Sequence, residues 1–149
     1  MKIDLVACEG PIDREIPGLS KLQAAMPGTW FAYANREIQV GRRKAAEIDL
    51  VIVGDDRLYA VDLKDWYGIL ENDKGRWLQN GIPQGRSAVR KIRENAKKLS
   101  SYFKGKLPPR VGSLFVEGFV VSTGNLDYSA LPDDERIGIL TLAEFASVA

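Results

Sequence analysis

"AVDLKDWYG", residues 60–68, places Asp62 and Lys64 two positions apart in a run that is otherwise mostly apolar. Side chains of a strand alternate between its faces, so Leu58, Ala60, Asp62 and Lys64 point one way while Tyr59, Val61 and Leu63 point the other. The two charges therefore share a face. The preceding run "EIDLVIV" (47–53) is rich in Val and Ile, and only "GDDR" (54–57) separates it from the first, which predicts a hairpin. A turn centred on Asp55 and Asp56 sets Val53 opposite Leu58, Val51 opposite Ala60, Asp49 opposite Asp62 and Glu47 opposite Lys64.

In that register two carboxylates lie about 5 Å apart at their β-carbons, and like charges directly opposite destabilise a sheet. A divalent cation, a shared proton or the lysine could offset them. Carboxylates together with water and a substrate phosphate suit a hard ion such as magnesium. The alternative is a solvated ion-pair ladder of Glu47, Asp62 and Lys64 on an open face, since charged side chains are mostly exposed.

An Ile-Asp pair opening one strand (Ile48, Asp49), then acid-x-Lys on the next (Asp62, Leu63, Lys64), then an aromatic and a glycine (Trp66, Gly68), resembles the nuclease-related domain, NERD. That domain is a branch of the PD-(D/E)XK restriction-endonuclease-like nucleases. The acid before the lysine is more often Glu in the family, so Asp62 is a departure that the wider superfamily accepts. The resemblance runs from about residue 10 to the end. It implies an α/β fold, a restriction-endonuclease-like mixed central sheet flanked by helices. It also implies Mg2+ or Mn2+ bound by Asp49, Asp62 and the Leu63 carbonyl, with Lys64 orienting or activating the attacking water and offsetting charge on the phosphate. The superfamily commonly adds a glutamate from the first helix. In "PIDREIPGLSKLQAAM" (11–26), Ile12, Ile16, Leu19, Leu22 and Met26 form one helical face, and Glu15 is the candidate, with Glu9 as the fallback. Pro17 and Gly18 fit a helix start or break there. The competing reading of Glu15 is a solvent-facing helical acid.

The segment "GRSAVRKIRENAKKLSSYFKGK" (85–106) carries Val89, Ile92, Ala96, Leu99 and Phe103 as a core-facing stripe. Arg86, Arg90, Arg93 and Lys97 follow helical spacing on a neighbouring face, with Lys91 nearby. If the hairpin is a nuclease site, these are the natural contacts to DNA phosphates, which carry affinity without sequence information. The alternative is an ordinary solvated helix face. Lys91 stands where family members often have Gln, so no role of that Gln transfers.

The 149 residues, 45% hydrophobic, predict one domain over 1–149 with a single adequate core. With 21 Lys and Arg against 20 Asp and Glu, no global field draws the chain to nucleic acid, and attraction must come from a local patch. The sequence has no histidine, which excludes His-metal nucleases, Ser-His triads and His-ligated zinc. The single cysteine, Cys8, cannot form an internal disulfide, which points to a reducing, cytoplasmic setting. No glycine-rich phosphate loop, signal peptide or membrane-length apolar run appears.

The remaining order reads helix, strand, hairpin, basic helix, strand, short strand. "LFVEGFVVSTG" (114–124) is apolar enough to be covered on both faces, and Trp66 and Trp77, which bracket the turn-rich "YGILENDKGR", read as packing anchors. Thr141 and Glu144 have capping-box spacing, so a helix is announced as the sequence stops, as in a fragment of a longer protein. NERD domains are commonly fused to helicases, kinases or zinc ribbons, and "REIPGLSKL" is similar to the heads of bacterial kinase fusions in phage defence of the BREX type. The resemblance thus implies a fused C-terminal partner, and a homodimer is one expected assembly, since many such nucleases work as dimers. The expected function is metal-dependent DNA cleavage or nicking. The alternatives are a non-catalytic nucleic-acid-binding module or a regulatory docking module of a fused kinase or helicase.

Overall fold

The computed structural model describes residues 1–4, 16–40, 43–108 and 114–148. In chain order the elements are β1 (Lys2–Asp4), α1 (Ile16–Ala25), β2 (Phe31–Val40), β3 (Arg43–Val53), β4 (Leu58–Lys64), β5 (Gly68–Asp73), β6 (Arg76–Gln79) and β7 (Ile82–Arg86). They continue with α2 (Ala88–Lys104), β8 (Val116–Ser122), β9 (Leu126–Asp127), α3 (Asp133–Arg136), β10 (Ile139–Thr141) and α4 (Leu142–Val148).

The β3–β4 hairpin forms in the register read from loop length. Val53 pairs with Leu58, Ile52 with Tyr59, Val51 with Ala60 and Leu50 with Val61, and the Gly54 N–H closes the loop onto the Arg57 carbonyl at 3.0 Å. The hairpin sits inside a six-stranded sheet of order β1-β2-β3-β4-β8-β10. β2, β3 and β4 run antiparallel, while β4, β8 and β10 run parallel, so the sheet is mixed. This is the α/β architecture, helices on both faces of a mixed sheet, expected of a restriction-endonuclease-like fold.

The alternation along β4 divides the core. Tyr59, Val61 and Leu63 join Leu19 and Leu22 of α1, Met26 just after it, and Phe145 of α4 on one face. Ala60 lies on the other, with Val89, Ile92, Ala96 and Leu99 of α2. Each fully buried Leu or Ile contributes about 1.5–3 kcal/mol relative to exposure, so two such layers hold the central strands firmly. β8 lies between β4 and β10, but the double cover expected of its apolar run holds only for Val120–Ser122; Val116–Phe119 are half-buried and Phe115 is exposed. Leu19, Leu22 and Met26 are buried as the helical stripe requires. Ile12 and Glu15 fall outside the described residues, as does Cys8.

The turn-rich stretch after Trp66 is more ordered than its sequence suggests. It is a four-stranded sheet of order β7-β6-β5-β9. Two tight turns make it: Lys74 (φ 53°) with Gly75 (φ 89°), and Asn80 (φ 49°) with Gly81 (φ 77°). Paired positive φ values are the geometry of two-residue hairpin loops, which is why Gly follows in both. The short β1, pairing parallel with β2, is a further strand that periodicity did not signal.

At the chain end the Thr141 hydroxyl accepts the Glu144 N–H at 3.2 Å and bonds the Glu144 carboxylate at 3.0 Å, so the announced cap is made.

Candidate active site

The paired ladder of β3 and β4 stops at Leu50 and Val61, one pair short of the acidic positions. There the Leu63 N–H donates to the Asp49 carboxylate (Oδ2, 3.4 Å). A side chain thus takes the place of a ladder carbonyl, which opens the sheet at Asp49. In an extended strand the N–H and C=O of one residue leave on the same side, so the Leu63 carbonyl also faces the opening, while its side chain is buried against α1.

Asp62 and Lys64 share the α2 face of β4, as alternation requires. Lys64 Nζ lies 3.1 Å from Asp62 Oδ1, and both side chains are largely buried, 23% and 13% exposed. The same oxygen has no aligned hydrogen bond. The contact is therefore an ion pair by distance without the directionality of a good hydrogen bond. The Lys64 ammonium also lies over the Trp66 ring, 4.9 Å from its centroid.

The chain just past Lys64 is pinned. The Thr123 N–H donates to the Lys64 carbonyl at 3.0 Å, and Gly68 N–H to the Asn125 carbonyl at 3.2 Å. The Asp65 carboxylate accepts the Thr123 hydroxyl at 2.8 Å and Lys21 of α1 at 3.1 Å, a contact that raises the Lys21 pKa above its ordinary value. Gly124 packs so closely that a β-carbon there would come within 2.2 Å of the Trp66 carbonyl oxygen.

A cavity of about 160 Å³ opens beside the ion pair, walled by Asp62, Lys64 and Trp66 on one side and Trp77, Arg86 and Lys91 on the other. Gln84 of β7 and Ala88 at the start of α2 complete it. α2 is held there by its cap: the buried Ser87 hydroxyl accepts the Arg90 N–H at 3.4 Å, and the Ser87 N–H donates to the Gly75 carbonyl at 3.1 Å. Further along, Asn95 donates to the Glu47 carbonyl at 3.1 Å, tying α2 to β3. A larger cavity of about 290 Å³, lined by Trp30, Asp55, Arg57 and Tyr59, lies at the turn end of the hairpin, away from the motif.

The basic residues separate. Arg86 belongs to β7, not to the helix, and is ion-paired with Glu94. Arg90 Nε lies 3.5 Å from the buried Glu135 carboxylate, and Arg93 donates to the Asp134 carbonyl at 2.8 Å, so this flank of α2 serves α3. Lys97 is exposed. Lys91 lies on the other flank, with Asn95, and reaches the cavity. The structure thus brings Asp62, Lys64, Lys91 and Arg86 around one cavity, with Asp49 bonded to the Leu63 N–H beside it, and leaves Arg90, Arg93 and Lys97 on the far side of the helix. Glu15 and Glu9 lie outside the described residues.

Among the described residues no three Asp, Glu, Cys or His side chains gather around one point. The donors that fit a hard divalent cation are the carboxylates of Asp49 and Asp62 and the Leu63 carbonyl, all oxygens, with Asp62 Oδ1 buried and without an aligned donor. Sequence reasoning did not place Trp77 or Gln84 at the site. The signals were the two turns, Lys74-Gly75, which folds Trp77 of β6 back onto β5, and Asn80-Gly81, which folds Gln84 of β7 back onto β6.

A relative from Streptomyces coelicolor named "Probable kinase PglW" is 26% identical over 147 residues, covering 94% of this chain and 9% of that protein. The chain spans less than a tenth of that relative. The family model for the nuclease-related domain matches residues 15–123, which takes in α1, both strands of the hairpin, the cavity wall and all of β8. On that match the chain belongs to the nuclease-related domain family, NERD.

Proposed function

We propose that this chain hydrolyses DNA phosphodiester bonds as a metal-dependent endonuclease or nickase. The observation that supports this most is the Asp49 carboxylate bonding the Leu63 N–H, next to the Asp62–Lys64 pair, where β3 and β4 part, within a family match that spans all of these residues. Asp49, Asp62 and the Leu63 carbonyl would hold Mg2+ or Mn2+, with Glu15 as a further acid. When bound, such an ion supplies Lewis acidity towards a phosphate oxygen and a more acidic water.

The chain's own residues supply the rest. Lys64, largely buried beside the Asp62 carboxylate, offsets the negative charge that grows on the phosphate, so it is a stabiliser before it is a base. Lys91 and Arg86 place two more cations at the cavity mouth, where they would hold the flanking backbone. The Trp66 face carries the Lys64 ammonium, and Trp77 is buried edge-on to Trp66, their centroids 6.4 Å apart. Neither ring offers a base a free face here, which favours recognition of backbone over sequence.

The chain is read as one domain, 1–149, of a longer protein. The likeness to a probable kinase supports a fused kinase partner, and work in phage defence or DNA processing in the cytoplasm is part of the same reading. No helix among the described residues is long and apolar enough to cross a membrane. A second reading, a non-catalytic DNA-binding or docking module, draws on the Asp62–Lys64 pair, which is charge-balanced without an ion.

Cleavage of supercoiled plasmid with Mg2+ or Mn2+ separates the two. Asp62→Ala and Lys64→Ala, purified identically to wild type, should each lower nicking by about 100-fold or more. Equal activity in all three preparations would mark a contaminant, and activity in none would leave the binding module.

A further inference from the structure

The Lys64 ammonium sits where a cation bound to Asp62 would sit. It is 3.1 Å from Asp62 Oδ1, the buried oxygen with no aligned hydrogen bond, and its second neighbour is the Trp66 ring at 4.9 Å. The Trp66 ring packs edge-on with Trp77, and its main chain packs against Gly124. The lysine therefore has two docking places in one cavity, one anionic and one aromatic, and the aromatic one is held by packing on both its ring and its main chain.

We propose that Lys64 is the resident counter-cation of Asp62 and competes with the divalent ion for that carboxylate, while Trp66 is a positioning residue that keeps the displaced ammonium in the cavity. A ligand that takes Asp62 Oδ1 must first break the ion pair, so its apparent affinity is reduced by the stability of that pair. Two cations within about 4 Å of each other also repel. Both effects weaken metal binding in the wild type. Once off the carboxylate, the ammonium keeps its attraction to the indole face, the stronger of the aromatic cation sites, and remains next to the place a phosphate would take. The ion pair then balances the buried acid before metal arrives, and the same lysine turns to substrate afterwards. The inference rests on the metal-dependent reading above, but its test does not need cleavage.

Mn2+ titrated calorimetrically into the wild type, Lys64→Met and Asp62→Ala checks it. Lys64→Met should bind Mn2+ about tenfold more tightly than wild type, and Asp62→Ala should lose that binding. Equal or weaker binding by Lys64→Met, binding retained by Asp62→Ala, or no binding by either the wild type or Lys64→Met overturns the proposal. Lys64→Gln serves if the Met variant fails to fold. In the wild type, where no substitution risks the fold, Mg2+ should change the emission of Trp66, and Lys64→Gln should abolish that change. Unchanged wild-type emission at saturating Mg2+ also overturns it. Tighter Mn2+ binding in Lys64→Met without plasmid cleavage by the wild type would leave this inference standing and remove the nuclease reading. Cleavage with unaltered metal affinity would do the reverse.

Discussion

Glu135 of α3 is wholly buried and accepts the indole N–H of Trp77 at 3.2 Å on Oε2. The same oxygen accepts the Asn72 amide at 2.8 Å, while Arg90 Nε lies 3.5 Å from Oε1 without an aligned hydrogen bond. One acid thus joins the small sheet, α2 and α3 behind the cavity wall. Removing it leaves a buried indole N–H and a half-buried amide without their acceptor, and a fully buried group so stranded costs about 1–3 kcal/mol. Arg90 is about half exposed, so its share is discounted for screening. Glu135→Ala should lower the unfolding free energy by about 3 kcal/mol in urea and loosen Trp77, and unchanged stability would show that water replaces the carboxylate at no cost.

Gly124 holds the far side of the site by having no side chain. Its would-be β-carbon meets main-chain atoms of Trp66, at 2.2 Å from the carbonyl oxygen and 2.9 Å from the carbonyl carbon, and main chain cannot rotate away. Gly124→Ala should therefore shift the segment after Lys64, at a cost of about 1–3 kcal/mol. Plasmid nicking should fall more than stability does, because Lys64 and Trp66 both depend on that segment. A Tm change with full activity would separate the loop from the site.

The parts of the fold legible in the sequence were those where one periodicity met one burial pattern. Leu50 to Val53 against Leu58 to Val61 could be paired from loop length alone, because "GDDR" leaves one register that keeps the apolar positions on shared faces. The expectation that Asp49 simply continues that ladder opposite Asp62 stopped one pair short, at Leu50 and Val61. The Asp49 carboxylate bonds the Leu63 N–H, and a side chain's choice of a main-chain partner leaves no trace in spacing. The small sheet was missed because its strands are short and mostly exposed, so they show no apolar alternation, although Asn80-Gly81 and Lys74-Gly75 carried the turn signal. The basic stripe of Arg86, Arg90, Arg93 and Lys97 followed helical spacing. Spacing could not say that the helix starts at Ala88, nor that α3 lies against that flank.

Tyr59 makes stability depend on alkaline pH. Its ring stacks on Trp30 at 5.7 Å and meets Phe145 edge-on at 5.4 Å, and burial raises the phenol above its ordinary pKa of 10.0. A raised folded-state pKa means that the folded chain holds the proton longer than the unfolded chain. The stabilisation is thus complete below the unfolded value and is lost as pH rises through the folded one. Thermal melts should show Tm falling above about pH 10, with a shallower fall in Tyr59→Phe. Parallel curves for the two would assign the alkaline loss to other groups.

Lys91 and Arg93 lie two positions apart on α2 yet serve different neighbours, Lys91 the cavity and Arg93 the Asp134 carbonyl at 2.8 Å. On the nuclease reading, only the first faces DNA. The salt dependence of binding reports how many phosphates a protein neutralises, and taking away one phosphate-neutralising cation reduces the slope by about 1. Lys91→Ala should show that reduction with little change in stability. Arg93→Ala should lower stability by about 1 kcal/mol by removing its hydrogen bond and leave the slope unaltered, and Lys97→Ala should change neither. Fluorescence anisotropy of a labelled duplex between about 50 and 200 mM salt would measure all three, the range in which a full set of such cations changes affinity by roughly 10³–10⁵. If Arg93→Ala and Lys97→Ala reduce the slope while Lys91→Ala does not, DNA runs along the α3 side of the helix and the cavity is not its seat.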